Sequence, residues 1–170
     1  MIFRLCGSAM LVIACGGVAY TMIHRSKEKM NALRQLSRFI ERIAYSLQYQ
    51  QFPLTQLLSS EENILTGDLR RLIQRLIAEL ESQIAPSVAY CMNASLAYYP
   101  NIPEDVRRIL LEIGNSFGKF DLNSQLKYLE GTSLACKKTL ASLEENFPGY
   151  TRCCTAYALC IGVILALFLI

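Results

Sequence analysis

Histidine is almost missing from this chain: of 170 residues only His24 is one. That leaves a zinc site or a histidine-based acid-base pair without its usual parts. The seven cysteines are odd in number and contain no C-x-x-C, so neither a disulfide framework nor a metal knuckle is spelled out. Equally absent are the G-x-x-x-x-G-K-[ST] phosphate loop, G-x-G-x-x-G after a strand, H-E-x-x-H and G-x-S-x-G. The acid pairs Glu61-Glu62, Glu79-Glu81, Glu104-Asp105 and Glu144-Glu145 sit where helices start, end or give way to loops, as solvated acids do. The expectation is a protein with no catalytic activity, no cofactor, no small-molecule substrate and no nucleic-acid partner.

Charge is scarce too, at 18% of residues against 52% hydrophobic, and it is unevenly spread. Leu5 to Ile23 and Cys153 to Ile170 carry none at all. As helices these runs would measure roughly 27 to 29 Å, about the hydrocarbon thickness of a bilayer. They argue against a purely soluble globular protein. The expected plan is a transmembrane helix over 1–25, a helical domain over 26–150 and a second transmembrane helix over 151–170.

Basic side chains resist translocation and so mark the cytoplasmic flank of a span. Arg25, Lys27, Lys29, Arg34, Arg38 and Arg42 follow the first run, and Arg152 precedes the second with Lys137 and Lys138 upstream. The middle domain is therefore expected in the cytoplasm and both termini outside. Val12-Ile13-Ala14-Cys15 loosely resembles a lipoprotein box, with Cys15 as the lipid-bearing residue. Against processing there, the apolar run continues to Ile23 and the basic cluster follows it, as in a retained anchor. Cys91 and Cys136 are the two cysteines left to the middle domain, and labelling them would report its side of the membrane.

Nothing in the middle domain alternates as a strand would. Leu33, Leu36, Ile40, Ile43 and Leu47 step by three and four along a helix from about Ser26 to Gln50. Pro53 restarts a short helix through Leu57 and Leu58, and a polar break is expected over Ser59 to Gly67. Leu69, Leu72, Ile73, Leu76, Ile77, Leu80 and Ile84 face one way on a third helix that Pro86 ends or kinks. A fourth runs through Val88, Met92 and Leu96. Glu104 and Asp105, at the favourable end of a helix dipole, open a fifth along Val106, Ile109, Leu110, Ile113 and Phe117, with Gly118 as its cap. Asp121 caps a sixth through Leu126, Leu129, Ser133, Cys136, Leu140, Leu143 and Phe147, which Pro148-Gly149 is expected to stop. Short connections make this an all-α protein with an antiparallel six-helix bundle.

Two features point to partners. Residues 1–45 hold seven basic and two acidic side chains, a balance of +5, whereas residues 46–150 hold nine and twelve, a balance of −3. The basic juxtamembrane helix suits anionic headgroups, at about 1 kcal/mol per basic residue near the surface, or an acidic protein surface, unless it is only a topology signal and a solvated face. Its stripe Arg34, Arg38, Arg42 would stand beyond the first Debye length on an upright helix. Cys154, Ala158, Gly162 and Ala166 lie four apart in the second span, and Cys15 and Ala19 in the first, small residues that let another helix approach. That helix is either the other span of this chain or one from another subunit.

The layout resembles the stage III sporulation protein AB family of endospore-forming bacteria. The residues that carry the resemblance are Arg34 to Tyr45 followed by Pro53-Leu54, the stretch Leu110 to Gln125 with Gly114, Gly118, Asp121 and Gln125, and Tyr150 to Arg152 before a terminal span. The resemblance implies a cytoplasmic domain similar to one six-helix repeat of the inner-membrane platform protein of type II secretion and type IV pilus machines. It further implies a non-enzymatic scaffold in the channel between mother cell and forespore, set in the outer forespore membrane and facing the mother cell. Its partners would be a secretion-type ATPase and other channel subunits, with more than one copy needed to match the two repeats of secretion relatives. The hairpin of Gly114, Gly118, Asp121 and Gln125 is first a helix-to-helix turn and second a contact for those partners. Cys153 and Cys154 stand where the family pattern leads one to expect small glycines. Two other readings remain open at this point: a membrane-anchored signalling or assembly module unrelated to sporulation, and a lipid-modifying enzyme, which lacks a constellation to work with.

Overall fold

A computed structural model describes residues 2–50, 53–82, 87–117 and 122–169; the side chains of 2–12, 15, 50, 122, 163 and 165–169 lie outside the description. Among the described residues there are six α-helices, one 3-10 helix and no strand. The α-helices are α1 (Ile2–Gln50), α2 (Leu54–Glu61), α3 (Gly67–Glu81), α4 (Val88–Ala97), α5 (Glu104–Ser116) and α6 (Leu122–Leu169), and the 3-10 turn is Glu62–Ile64. The chain is all-α, and it divides into two compact units. One combines Met1–Met30 with Ala141–Ile170, and the other is Asn31–Leu140.

The second unit has a conventional core. On α1 the three-four stripe is inward, with Leu33, Leu36, Ile40 and Ile43 buried and Leu47 half-buried. Leu69, Leu72, Ile73, Leu76 and Ile77 do the same on α3, as do Val106, Leu110 and Ile113 on α5. All six helices reach one apolar centre: Phe39, Leu58, Leu76, Met92, Leu110 and Leu129 each come from a different helix and line the same small void. Burying a side chain of this size contributes about 1.5–3 kcal/mol, so this convergence is what holds the six segments together. Along the chain, α2 packs on α3, α3 on α4 and α4 on α5.

Local chemistry explains most of the boundaries. Ser87 caps α4, its hydroxyl oxygen accepting the Tyr90 N–H at 3.3 Å. Pro53 and Pro103 stand just before α2 and α5, where a missing N–H is no loss. Just past α4 the Arg107 guanidinium donates to the carbonyls of Leu96 and Tyr99 at 3.3 and 3.1 Å, adding to the backbone N–H each already accepts. The turn into α3 is fixed by Gly67 at φ +63° and by the Thr66 N–H, which donates to Gln35 Oε1 at 2.8 Å. Only glycine takes that backbone conformation without strain.

Three expectations need correcting. The stretch from Ser59 to Gly67 is not a continuous polar break, because α2 runs on to Glu61 and the 3-10 turn follows, with Leu65 buried as its anchor. Helix α1 does not begin near Ser26; it is continuous from Ile2. Nor do Pro148 and Gly149 stop the last helix, since α6 passes through Pro148 to Leu169. A proline there removes one backbone bond and ordinarily costs about 3 kcal/mol. Side chains bond the carbonyls around it: Asn146 donates to Ser142 O at 2.7 Å, and Thr151 donates to Phe147 O at 2.6 Å. The caps assigned to Gly118 and Asp121, together with Ile84 and Pro86, lie outside the described residues.

The Met1–Met30 and Ala141–Ile170 unit is built differently. Val18, Tyr20, Tyr157, Leu159, Ile161 and Ile164 are exposed, whereas Ala19 and Gly162 are buried. In a unit made of two helical stretches, small residues buried among large exposed neighbours mark the face where the stretches meet. Among the described residues no helix is long and apolar enough to cross a membrane. Much of both charge-free runs falls on side chains outside them.

Candidate partner interface

The residues singled out from the sequence fall into three places. Arg34, Arg38 and Arg42 are all exposed along α1. Gly114 is buried in α5 against α4: a methyl there would lie 3.0 Å from Met92 Cβ and 3.2 Å from its Cγ. It is a position of close helix approach, so its surface is taken by this domain and not open to a partner. Gln125 is half-buried near the start of α6, while Gly118 and Asp121 lie outside the described residues.

Of the small residues in the terminal runs, Ala19 and Gly162 are buried and Cys154 and Ala158 half-buried. The side chains of Cys15 and Ala166 lie outside the described residues. Cys91 and Cys136 are free but buried, so labelling them reports on opening of the domain and not on its side of a membrane. Burial, and secondarily the Glu112 charge, pushes the Cys136 thiol up to about 11; burial also raises Cys91. Neither thiol has the low pKa of a reactive one.

Beside the arginine stripe, α1 and α6 form a feature that no local pattern announced. Glu41 on α1 pairs with Lys137 on α6 and accepts a hydrogen bond from the buried Ser133 hydroxyl at 3.1 Å. The hydrogen bond from Lys137, followed by that from Ser133, holds the Glu41 carboxyl below the usual carboxylate range against the opposing effect of burial. Over this pair opens a groove of about 310 Å³. Its α1 wall is Glu41, Ala44, Tyr45 and Gln48, and its α6 wall is Glu130, Ser133, Leu134 and Lys137. Both walls follow the i, i+3, i+4, i+7 spacing of one helix face. Tyr45 also borders a second groove of about 610 Å³ with Arg38, Arg42 and Ile64. The Tyr45 and Tyr49 rings touch at 4.7 Å between centroids, their planes tilted by 44°.

Three of the acids that might have served catalysis pair with neighbouring arginines. Glu62 accepts from Gln74 at 3.3 Å and lies 3.6 Å from Arg70; Glu79 holds Arg75 at 3.2 Å, whose guanidinium covers the Tyr98 ring at 3.4 Å. Glu104 lies 3.7 Å from Arg107. These are surface pairs that tie neighbouring turns and helices together. Among the described residues no group of three or more His, Cys, Asp or Glu side chains could hold a metal ion.

Sequence reasoning found the basic half of this surface and missed Glu41, Tyr45, Leu134 and Lys137. Leu134 has a faint signal, being an apolar residue one place off the inward stripe of α6. Glu41 and Lys137 have none, because their pairing joins two helices far apart in sequence. No curated protein and no solved structure matches the chain. The model of one protein family does, stage III sporulation protein AB, over residues 4–170. With that match covering the helices, the arginine stripe and both charge-free runs, the chain belongs to the stage III sporulation protein AB family.

Proposed function

We propose that this protein is a non-enzymatic membrane platform of the channel between mother cell and forespore, coupling a cytoplasmic secretion-type ATPase to membrane ring components. The observation that carries the reading is the family match over essentially the whole chain. Membership of a sporulation family also removes the alternative of a module unrelated to sporulation. In this reading the runs 5–23 and 153–170 are spans, the middle domain faces the mother-cell cytoplasm and the protein sits in the outer forespore membrane. The basic flank from Arg25 to Arg42 supports that orientation. The outward apolar side chains of the terminal unit, Tyr157, Leu159 and Ile161 among them, support an apolar surrounding for it. The engagement of Glu62, Glu79 and Glu104 in surface pairs supports a scaffold over an enzyme. Its partners are then the membrane, the ATPase, other channel subunits and further copies of itself.

The test uses the full chain in a sporulating cell. Lys138 is exposed in the helical domain, so Lys138→Cys gives a reporter that the buried native thiols cannot. The chain is expected in the membrane fraction, with Lys138→Cys shielded from an impermeant maleimide until the cell is opened, and to co-purify with a secretion-type ATPase. Recovery in the soluble fraction, labelling from outside, or assembly without the ATPase would each overturn the proposal.

A further inference from the structure

The groove between α1 and α6 in the Asn31–Leu140 unit has the properties of a helix-binding seam. Its two walls are straight helix faces about two turns long, at ~1.5 Å per residue, which is the shape a third helix needs to nest between two others. Its base is electrically closed, because Glu41 is satisfied by Lys137 and Ser133. That bridge joins the two walls. Above it, Tyr45 and Leu134 face out at 62% and 70% exposure, one from each wall. Leucine that exposed on the wall of a groove, opposite a tyrosine, gives an apolar strip with a rigid aromatic anchor, the composition of an interface centre. The Tyr49 ring, in tilted contact with Tyr45, extends the strip along α1.

The charges along the lips indicate what the strip would bind. Arg38 and Arg42 flank Tyr45 on the α1 side, and among the described residues no acid is paired with either. The α6 lip carries Glu130 instead. An anionic lipid surface or a nucleic acid would be drawn to the arginines but repelled by Glu130, and neither has an apolar ridge to fill the strip. A protein helix can satisfy both lips at once. We propose that the seam is the docking groove for one amphipathic helix of a partner protein, with its apolar stripe over Tyr45 and Leu134 and an acidic flank against Arg38 and Arg42. The proposal rests on the platform reading only in requiring a protein partner. It follows the helix-in-groove mode of recognition, in which three or four anchors at helical spacing give affinity and the flanking charges give orientation.

The experiment places photoreactive benzoylphenylalanine at Tyr45 or Leu134 of the full chain in sporulating cells and maps the cross-linked segment by mass spectrometry. Both positions are expected to capture the same segment, apolar at three-four spacing with Asp or Glu along one flank. Arg38→Glu with Arg42→Glu is expected to lower the yield at least tenfold, and reversing two of the segment's acids to Lys to restore it. That restoration separates a lost contact from a lost fold, and a fall that no charge swap restores counts against the groove. Cross-links to lipid, to a second copy of this chain or to a segment without acids would overturn the proposal, as would a yield indifferent to charge reversal. If neither position cross-links while the chain still co-purifies with the ATPase, the groove proposal fails and the platform stands. If the unaltered chain does not co-purify, the platform fails on its own account.

Discussion

The same two helices, α1 and α6, are built to opposite rules in the two units. In Asn31–Leu140 their apolar residues point inward, with Leu33, Leu36, Ile40 and Leu129 almost wholly buried. In Met1–Met30 with Ala141–Ile170 most of the described large apolar side chains of the charge-free runs point outward, and the buried residues there are the small Ala19 and Gly162, with Met30 buried at the unit's edge. The first arrangement is what water imposes on an amphipathic helix. The second lacks that driving force from within, and under the proposed function a bilayer supplies the apolar surroundings that Leu159 and Ile161 need. The difference is one of side-chain direction, not of helix propensity, so it should respond differently to substitution.

The largest contrast is expected from truncating one leucine in each unit. Leu72 is fully buried, and Leu72→Ala should lower unfolding stability by about 3 kcal/mol through lost transfer energy and a residual cavity. Leu159→Ala, at an exposed position, should change it by less than about 0.5 kcal/mol. Guanidinium unfolding of the detergent-solubilised chain measures both, and equal effects would break the comparison.

Cys136 gives the next contrast, through pH. Its thiol titrates near 11 in the folded protein, above the ordinary value of 9.0, so the folded state keeps a proton that the unfolded chain releases. The associated stability is fully present below about pH 9 and is lost as pH rises towards 11, by about 2 kcal/mol. The Cys136→Ala variant should show a shallower alkaline loss when unfolding is compared at pH 8 and 10.5. A Cys136→Ala variant whose alkaline loss is as steep as the parent's would break the assignment to this thiol.

Two glycines sharpen the comparison at smaller scale. Gly114→Ala pushes a methyl against Met92 Cβ, which belongs to the stem of that side chain and cannot swing aside, so α4 must shift. Net of the better helix propensity of alanine, the cost should be about 1 kcal/mol. Gly149 has nothing within 4 Å of an added Cβ, so Gly149→Ala should be neutral or stabilising. A Gly114→Ala variant with unchanged thermal melting would show that α4 and α5 do not approach this closely.

The smallest effect concerns Glu41. Its lowered pKa means that its contribution is present above the ordinary value of 4.5 and lost as pH falls through the depressed one. Both partners are about half exposed, so Glu41→Gln should cost under about 1 kcal/mol at pH 7 and narrow to nothing at acid pH. A loss that persists in acid would mean that the hydrogen bond to Ser133, rather than the ion pair, carries the effect.

Much of this was legible in advance, and the limits follow a physical line. The inward stripes of α1, α3 and α5 could be read because an amphipathic helix repeats its buried face every three or four residues. The arginine stripe was visible for the same reason. Gly114 was noticed through the family pattern, but its partner Met92 lies on another helix and left no local trace. Pro148 was misread because the rule that proline ends helices concerns one missing backbone bond, and the helix continues on either side of it to Leu169. Leu65 and Ile102, both buried, sit in connections where no period exists to expose them.

By itself, then, the sequence determined that the chain is helical, which helix faces turn inward in the middle domain, and where its charge-free runs lie. Each of these is a short-range property, set by spacing within a few turns or by plain composition. Only the tertiary structure decided that α1 and α6 meet through Glu41, Ser133 and Lys137, with Ser133 92 positions from Glu41, and so that Tyr45 and Leu134 face one groove. Pairing between helices depends on which surfaces fit once the chain has collapsed. No repeat along the chain encodes that choice.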